Sequence, residues 1–371
     1  MFSRWEKMAA LSNFPYSSGR QKRWRRSALS RMTSCARRWR PLPLPLIRSD
    51  FMLRRLDDPF HDMPQAWQSG SLVRPGGHSI SWKSTGAQDG IPVVVVHGGP
   101  GGASMPGLAR LMDAKVWRSI FFDQRGCGAS TPIGALEGNT LQATLEDMEI
   151  LRLHHGIERW VVAGGSWGST VALAYAETYP DRCMGLLLQG VWLCRRADID
   201  WWFYGVRTLF PDLWETFSSA VPNEERKDLR QAYCQRILGK DRSVAADFAT
   251  RLYLYEEGFM HFDPPLQPPD PSRGADYGRI FAHYVAHNFF LEENQLILNA
   301  KKISHLPAIL VTGRYDCCTP PSNAYDLKSV LPLADLRIIN GGGHYPTEQT
   351  MAIAVSAAAQ DMAHILWQKG K

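Results

Sequence analysis

Three side chains in this 371-residue chain have types and order suited to covalent catalysis: Ser166, Asp316 and His344. A serine hydroxyl is a weak nucleophile at neutral pH. It needs a base to take its proton, and the base needs an acid to hold its ring. Ser166 lies in Gly164-Gly165-Ser166-Trp167-Gly168, a G-x-S-x-G pentapeptide. Small residues on either side let the chain turn tightly, leaving the hydroxyl exposed and the backbone strained. Asp316 closes Gly313-Arg314-Tyr315-Asp316, and His344 closes Gly341-Gly342-Gly343-His344. Taken singly, Asp316 reads equally well as a turn residue and His344 as a core histidine. Their order along the chain, serine then acid then histidine, is that of one catalytic set.

Such a set must be carried at the ends of strands. Trp160 to Ala163 is short, apolar and β-branched, and Ser169 to Tyr179 is rich in Ala and Leu before Pro180. This predicts a buried strand and a helix on either side of the pentapeptide. Residues 308–312 and 336–339 predict strands leading directly into the Asp316 and His344 loops. Upstream, Ser71–Arg74 and His78–Trp82 flank Pro75-Gly76-Gly77 as a hairpin, and Ile91–Val96 reads as a central parallel strand. A helix is expected over Leu108–Lys115, a strand over Ser119–Phe122, and a helix over Thr140–His155 with Thr144 opening a capping box. A strand over Gly185–Gln189 and a closing helix over Met351–Gln368 complete the pattern. Alternating strands and helices predict an α/β fold, a mostly parallel sheet flanked by helices. The alternation stops at Val191, and residues 191–302 predict a helical cap interrupted by a proline-rich break at 263–271. The expected division is therefore a basic extension over 1–50, a core over 66–190 and 303–371, and a cap over 191–302.

The tetrahedral intermediate of acyl transfer carries an oxyanion that needs preset N–H donors. The residue after the nucleophile, Trp167, supplies one. The glycine-rich loop His97-Gly98-Gly99-Pro100-Gly101-Gly102 supplies the other, with Gly99 as the candidate. A phosphate-binding reading of that loop fails because no Gly-Lys-Ser/Thr follows.

Composition narrows the class. Hydrophobic residues make up 44% of the chain, and no apolar run approaches the ~18 residues of a membrane span. The net charge of +6 is local: residues 1–50 carry ten Arg and two Lys against Glu6 and Asp50, leaving the rest at −4. The folded part therefore gives no reason to expect nucleic acid. The extension reads first as sequence translated upstream of a working initiator at Met52 or Met63, then as a solvated tail, then as a targeting arm. Seven cysteines with no C-x-x-C argue against a disulfide framework or zinc site, and for a reducing, cytoplasmic setting.

Three segments together resemble the proline iminopeptidases of the α/β-hydrolase fold: His97-Gly-Gly-Pro-Gly-Gly, Asp123-Gln-Arg-Gly-Cys-Gly-Ala-Ser130 and Gly164-Gly-Ser-Trp-Gly-Ser-Thr170. The likeness spans about residues 66–369. It implies release of N-terminal proline from small peptides through an acyl-enzyme, without metal or cofactor. It implies Ser166 as nucleophile, His344 as base and then acid, Asp316 as its orienter, and Gly99 and Trp167 as oxyanion donors. It also implies cap glutamates for the substrate amine and an aromatic proline pocket, for which Glu256, Glu257, Trp192 and Trp202 are the candidates.

The chain departs from the family in the cap. The family's Arg-Gly-Ile-Phe is Gln189-Gly190-Val191-Trp192 here, and its Trp-Glu-Gly matches Tyr255-Glu256-Glu257-Gly258, keeping one glutamate as Glu256 or Glu257. A second glutamate is matched by Val285. Loss of one of two carboxylates facing a buried ammonium costs on the order of 2–5 kcal/mol. This raises an alternative: an esterase or amidase of the same fold, with a small acyl substrate and altered acyl specificity.

Overall fold

A computed structural model describes residues 59–64, 67–261 and 274–369. The basic extension over 1–50 and the proline-rich break lie outside the described residues. Eight strands form one sheet in the order β1-β2-β4-β3-β5-β6-β7-β8. β1 (Trp67–Arg74) and β2 (His78–Gly86) are the expected hairpin, and β2 pairs antiparallel with β4 (Trp117–Phe122). The remaining strands are all parallel: β3 (Ile91–Val96), β5 (Trp160–Ser166), β6 (Cys183–Val191), β7 (Ala308–Gly313) and β8 (Ala334–Ile339).

Strand side chains alternate between two buried layers. Val94 and Val96 pack on one face with helices α1 (Leu141–His154) and α2 (Trp167–Thr178). Val93 and Val95 pack on the other with the closing helix. A strand covered on both faces needs apolar residues at every position, which is why Ile91–Val96 is a continuous apolar run.

Between β6 and β7 come helices α3 (Arg196–Asp200), α4 (Pro211–Ser219), α5 (Leu229–Ile237), α6 (Arg242–Met260), α7 (Gly274–Ala286) and α8 (Gln295–Asn299). Then follow α9 (Pro321–Val330) and α10 (Gln349–Lys369).

Three local readings change. The helix expected over Leu108–Lys115 is a 3-10 turn over Pro106–Leu111. Asp113 ends it: its side chain accepts from Lys115 N–H at 2.9 Å and its carbonyl from Val116 and Trp117 N–H, so local bonds replace helical ones. Thr140, not Thr144, caps α1, accepting from Ala143 N–H at 3.1 Å. Thr144 lies inside the helix with its hydroxyl on the Thr140 carbonyl. Helix α9 was not anticipated; Pro321 stands in its first turn, where its missing N–H costs nothing.

Candidate active site

Strand β5 runs into α2 with no intervening loop, so Ser166 is both the last strand residue and the helix N-cap. Its backbone sits at φ 57° and ψ −128°, a region that side-chain-bearing residues avoid. The flanking glycines make this possible. A Cβ on Gly164 would overlap the Gly168 carbonyl, and one on Gly168 would overlap the Val96 carbonyl.

Asp316 and His344 meet where the sequence order expects them. His344 Nδ1 lies 2.9 Å from Asp316 Oδ2 and 3.0 Å from Oδ1, with both side chains buried. Asp316 is held by its own loop. The N–H groups of Cys318 and Thr319 donate to Oδ1 at 3.0 and 2.8 Å, and the Thr319 hydroxyl donates to Oδ2 at 2.8 Å. Burial works against the protonated imidazole. The charge and hydrogen bond of Asp316, helped by Glu256 and Glu348, outweigh it, and the His344 pKa is raised.

Ser166 and His344 line one cavity of about 250 Å³, together with Gly98, Gly99, Glu256 and Glu257. Gly99 sits at φ 121°, a conformation open to glycine, and a Cβ there would lie 2.6 Å from the Gly101 and Gly102 nitrogens. Trp167 is the first residue of α2, where a backbone N–H has no partner within the helix. Its indole fills the core and donates to Gln124 Oε1 at 2.8 Å.

Gln124 is a residue whose part the sequence reading did not assign. Its amide donates to the His97 carbonyl at 3.0 Å, and its backbone N–H to His97 Nε2 at 3.0 Å. His97 Nε2 is therefore the acceptor, and Nδ1 carries the proton toward the Gly98 carbonyl at 2.8 Å. Burial lowers the His97 pKa, consistent with that neutral ring. One glutamine thus ties the glycine loop to the first residue of the elbow helix. The signal was present: Gln124 sits inside the Asp123–Ser130 motif.

Both Glu256 and Glu257 reach the cavity from the end of α6, although only one was expected to serve. Glu256 is buried. Trp202 Nε1 donates to its Oε1 at 3.2 Å, and the Tyr277 hydroxyl donates to its Oε2. Burial pushes its pKa up to about 7 despite those donors. Glu257 is oriented from the other side. The Tyr345 hydroxyl donates to its Oε1 at 3.0 Å, and His261 Nε2 lies 3.4 Å from its Oε2. The Tyr345 and His261 rings stack at 4.3 Å between centroids.

The remaining candidates are not brought to the cavity wall. Trp202 stands behind Glu256 as its donor. Trp192 is buried, its ring against Phe289 at 4.9 Å and its backbone N–H donating to Ser169 Oγ. Val285 is buried in the core two helical turns beyond Tyr277, about 12 Å along α7. Val285 is not among the residues lining the cavity. Gln189 does line the cavity, and its Nε2 donates to the His344 carbonyl at 2.7 Å.

Residues 91–349 match the model of the α/β-hydrolase fold family. A probable proline iminopeptidase of Leptolyngbya boryana is 40% identical over 284 residues, covering 75% of this chain and 88% of that protein. The proline iminopeptidase of Arabidopsis thaliana is 37% identical over 309 residues, with 81% of each covered.

The chain belongs to the proline iminopeptidase family of α/β hydrolases.

The solved proline iminopeptidase of Mycobacterium smegmatis shares the fold at a TM-score of 0.53 and 21% identity, over 80% of this chain and 99% of that one. Among the described residues, no helix is long and apolar enough to cross a membrane, and no group of three or more His, Cys, Asp or Glu side chains is placed to hold a metal ion.

Proposed function

We propose that this protein is a serine aminopeptidase that releases N-terminal proline from small peptides. The observation that carries the reading is the cavity itself. Ser166 and His344 share it with two carboxylates, Glu256 and Glu257, carried by the end of α6. Carboxylates facing a serine nucleophile select a substrate with a cation close to its scissile carbonyl, which describes a free peptide amino end. The names of the relatives point to the same substrate.

In this reading Ser166 Oγ attacks the carbonyl carbon while His344 Nε2 takes its proton, and Asp316 holds Nδ1–H. The C–O bond forms as the carbonyl π pair moves to oxygen, which the N–H groups of Trp167 and Gly99 receive. Collapse breaks the C–N bond, and His344 hands its proton to the departing amine. Water, activated by the same histidine, then hydrolyses the prolyl ester and returns Ser166. Removal of one oxyanion donor in such sites costs about 10²–10³ in kcat. Glu256 and Glu257 hold the substrate ammonium. Tyr277 and Tyr345 keep those carboxylates in place.

The esterase or amidase alternative rested on Val285 opening the amine site. With both glutamates at the wall and Val285 outside it, that alternative is not favoured. A cytoplasmic setting is proposed on the cysteines: Cys127, Cys183, Cys194, Cys234, Cys317 and Cys318 are all free thiols.

The test is hydrolysis of proline arylamide against acetylproline arylamide and a short-chain aryl ester, with Ser166→Ala as the blank. The reading expects Ser166-dependent cleavage of the free-amine substrate at kcat/KM far above both others. Equal or better turnover of the acetylated amide or the ester would overturn it.

A further inference from the structure

A second, smaller chamber of about 80 Å³ opens beneath the elbow, between the sheet and α10. Gln189 is the one residue lining it with a polar side chain. Water held inside a protein needs two to four polar partners, so this chamber suits hydrocarbon. Protein cores seldom leave voids larger than a water molecule, and this one persists where α10 presents alanines, Ala358 and Ala359, to the sheet.

Its place relative to the catalytic cavity gives it meaning. Val95, Val96, Leu108, Gly165, Gln189 and Pro346 line both spaces. Gly165 precedes the nucleophile, and Pro346 lies two residues past His344. The cap residues that carry the acidic end, Glu256, Glu257 and Tyr277, line the catalytic cavity and not the chamber. The site therefore has an acidic end at Glu256 and Glu257 and an apolar end within the core, with Gly165, the residue before Ser166, at the junction.

Substrate connectivity orients a peptide along that axis. The amine and the scissile carbonyl of an N-terminal residue hang from the same Cα. If the amine is held by Glu256 and Glu257, the whole acyl residue lies between them and Ser166. What remains for the opposite end is the leaving group.

We propose that the chamber is a subsite for the side chain of the residue that follows the N-terminal proline, and that it selects peptides whose second residue is aliphatic. The proposal rests on the functional reading above. An aliphatic side chain entering an apolar chamber gains about ten- to two-hundredfold over one that cannot fill it. A charged second residue finds no partner there and loses its hydration.

The experiment measures kcat/KM of the full-length enzyme on three amides, prolyl-leucine, prolyl-glycine and prolyl-aspartate, with Ser166→Ala as blank. The expected ratio of the leucine to the glycine peptide is at least about tenfold, with aspartate lowest. Ala359→Leu fills the chamber and is expected to cut that ratio at least about fivefold. Ala163→Val, a smaller intrusion from β5, reports the same quantity if Ala359→Leu does not fold. A wild-type ratio near unity overturns the subsite, as does a ratio that neither variant lowers. Absence of Ser166-dependent proline release from all three peptides overturns the functional reading and the subsite with it, whereas indifference to the second residue removes the subsite alone.

Discussion

The side chain of Gln189 and the backbone of His344 are joined by a 2.7 Å hydrogen bond across 155 residues of sequence. Strand β6 thereby holds the loop that carries the candidate base. The bond uses the histidine carbonyl, so it fixes where the ring starts without touching the ring's own partners.

Gln189→Leu keeps the bulk and removes the donor. The freed carbonyl lets the His344 loop drift, and kcat is expected to fall about tenfold with KM little changed, because misplacement of a catalytic group is felt in the transition state. Steady-state kinetics on proline arylamide check this. An unchanged kcat in a folded Gln189→Leu protein contradicts the positioning role.

The Thr319 hydroxyl donates to Asp316 Oδ2 at 2.8 Å and lies 3.3 Å from His344 Nδ1. Thr319→Val retains the shape and strips the donor, leaving the buried carboxylate less well solvated by its loop. Stability is expected to fall by about 1–2 kcal/mol. Turnover should drop severalfold. Denaturant unfolding and kcat together read the two effects, and a variant that matches wild type in both rules out the role.

Gln124 bridges the glycine loop and the elbow helix through His97 and Trp167. Gln124→Leu breaks both side-chain bonds and should loosen the two proposed oxyanion donors relative to each other. A loss of about 10-fold or more in kcat, with KM nearly constant, is the expected signature. A loss confined to KM points instead to substrate binding.

The pH response follows from two buried groups. In the proposed reaction Glu256 must be ionised to hold an ammonium, and His344 must be neutral to accept a proton. As pH falls, Glu256 gains its proton near 7, and His344 gains one at a raised value. The kcat/KM profile should therefore rise with pH along an acid limb that includes the Glu256 step at about 7 and is steeper than one proton. Glu256→Gln should leave a one-proton limb from His344 and a KM raised about ten- to hundredfold. Stability runs the other way. The folded-state pKa of Glu256 is raised from 4.5 to about 7, so its stabilising share is complete below the ordinary value and lost as pH rises through the folded one. Glu256→Gln should consequently melt above wild type at pH 8, by the equivalent of about 3 kcal/mol, and show no such gain at pH 4. Identical melting differences at both pH values contradict the raised pKa.

Much of this site was legible because its chemistry is local in sequence. The Ser166 pentapeptide requires its glycines within two residues, and each of Asp316 and His344 follows its own strand closely. The sheet was legible for a similar reason: two-sided burial writes itself as unbroken apolar runs. What was not legible depends on how helices turn in space. Nothing in Tyr255-Glu256-Glu257-Gly258 says that both carboxylates face the cavity, which needs the end of α6 to point into it. Val285 and Tyr277 share a helix, yet of the two only Tyr277 lines the cavity. Trp192 follows the motif residue Gln189 by three positions and still turns into the core, because β6 continues to Val191 and its backbone is tied to Ser169 and Thr170.

The backbone at Ser166 also bears on how that residue can be replaced. At φ 57° a glycine would be the easier tenant, so serine is kept there against the preference of the fold. Ser166→Gly would relieve that backbone strain and remove the hydroxyl in the same step, so at this position the two cannot be separated.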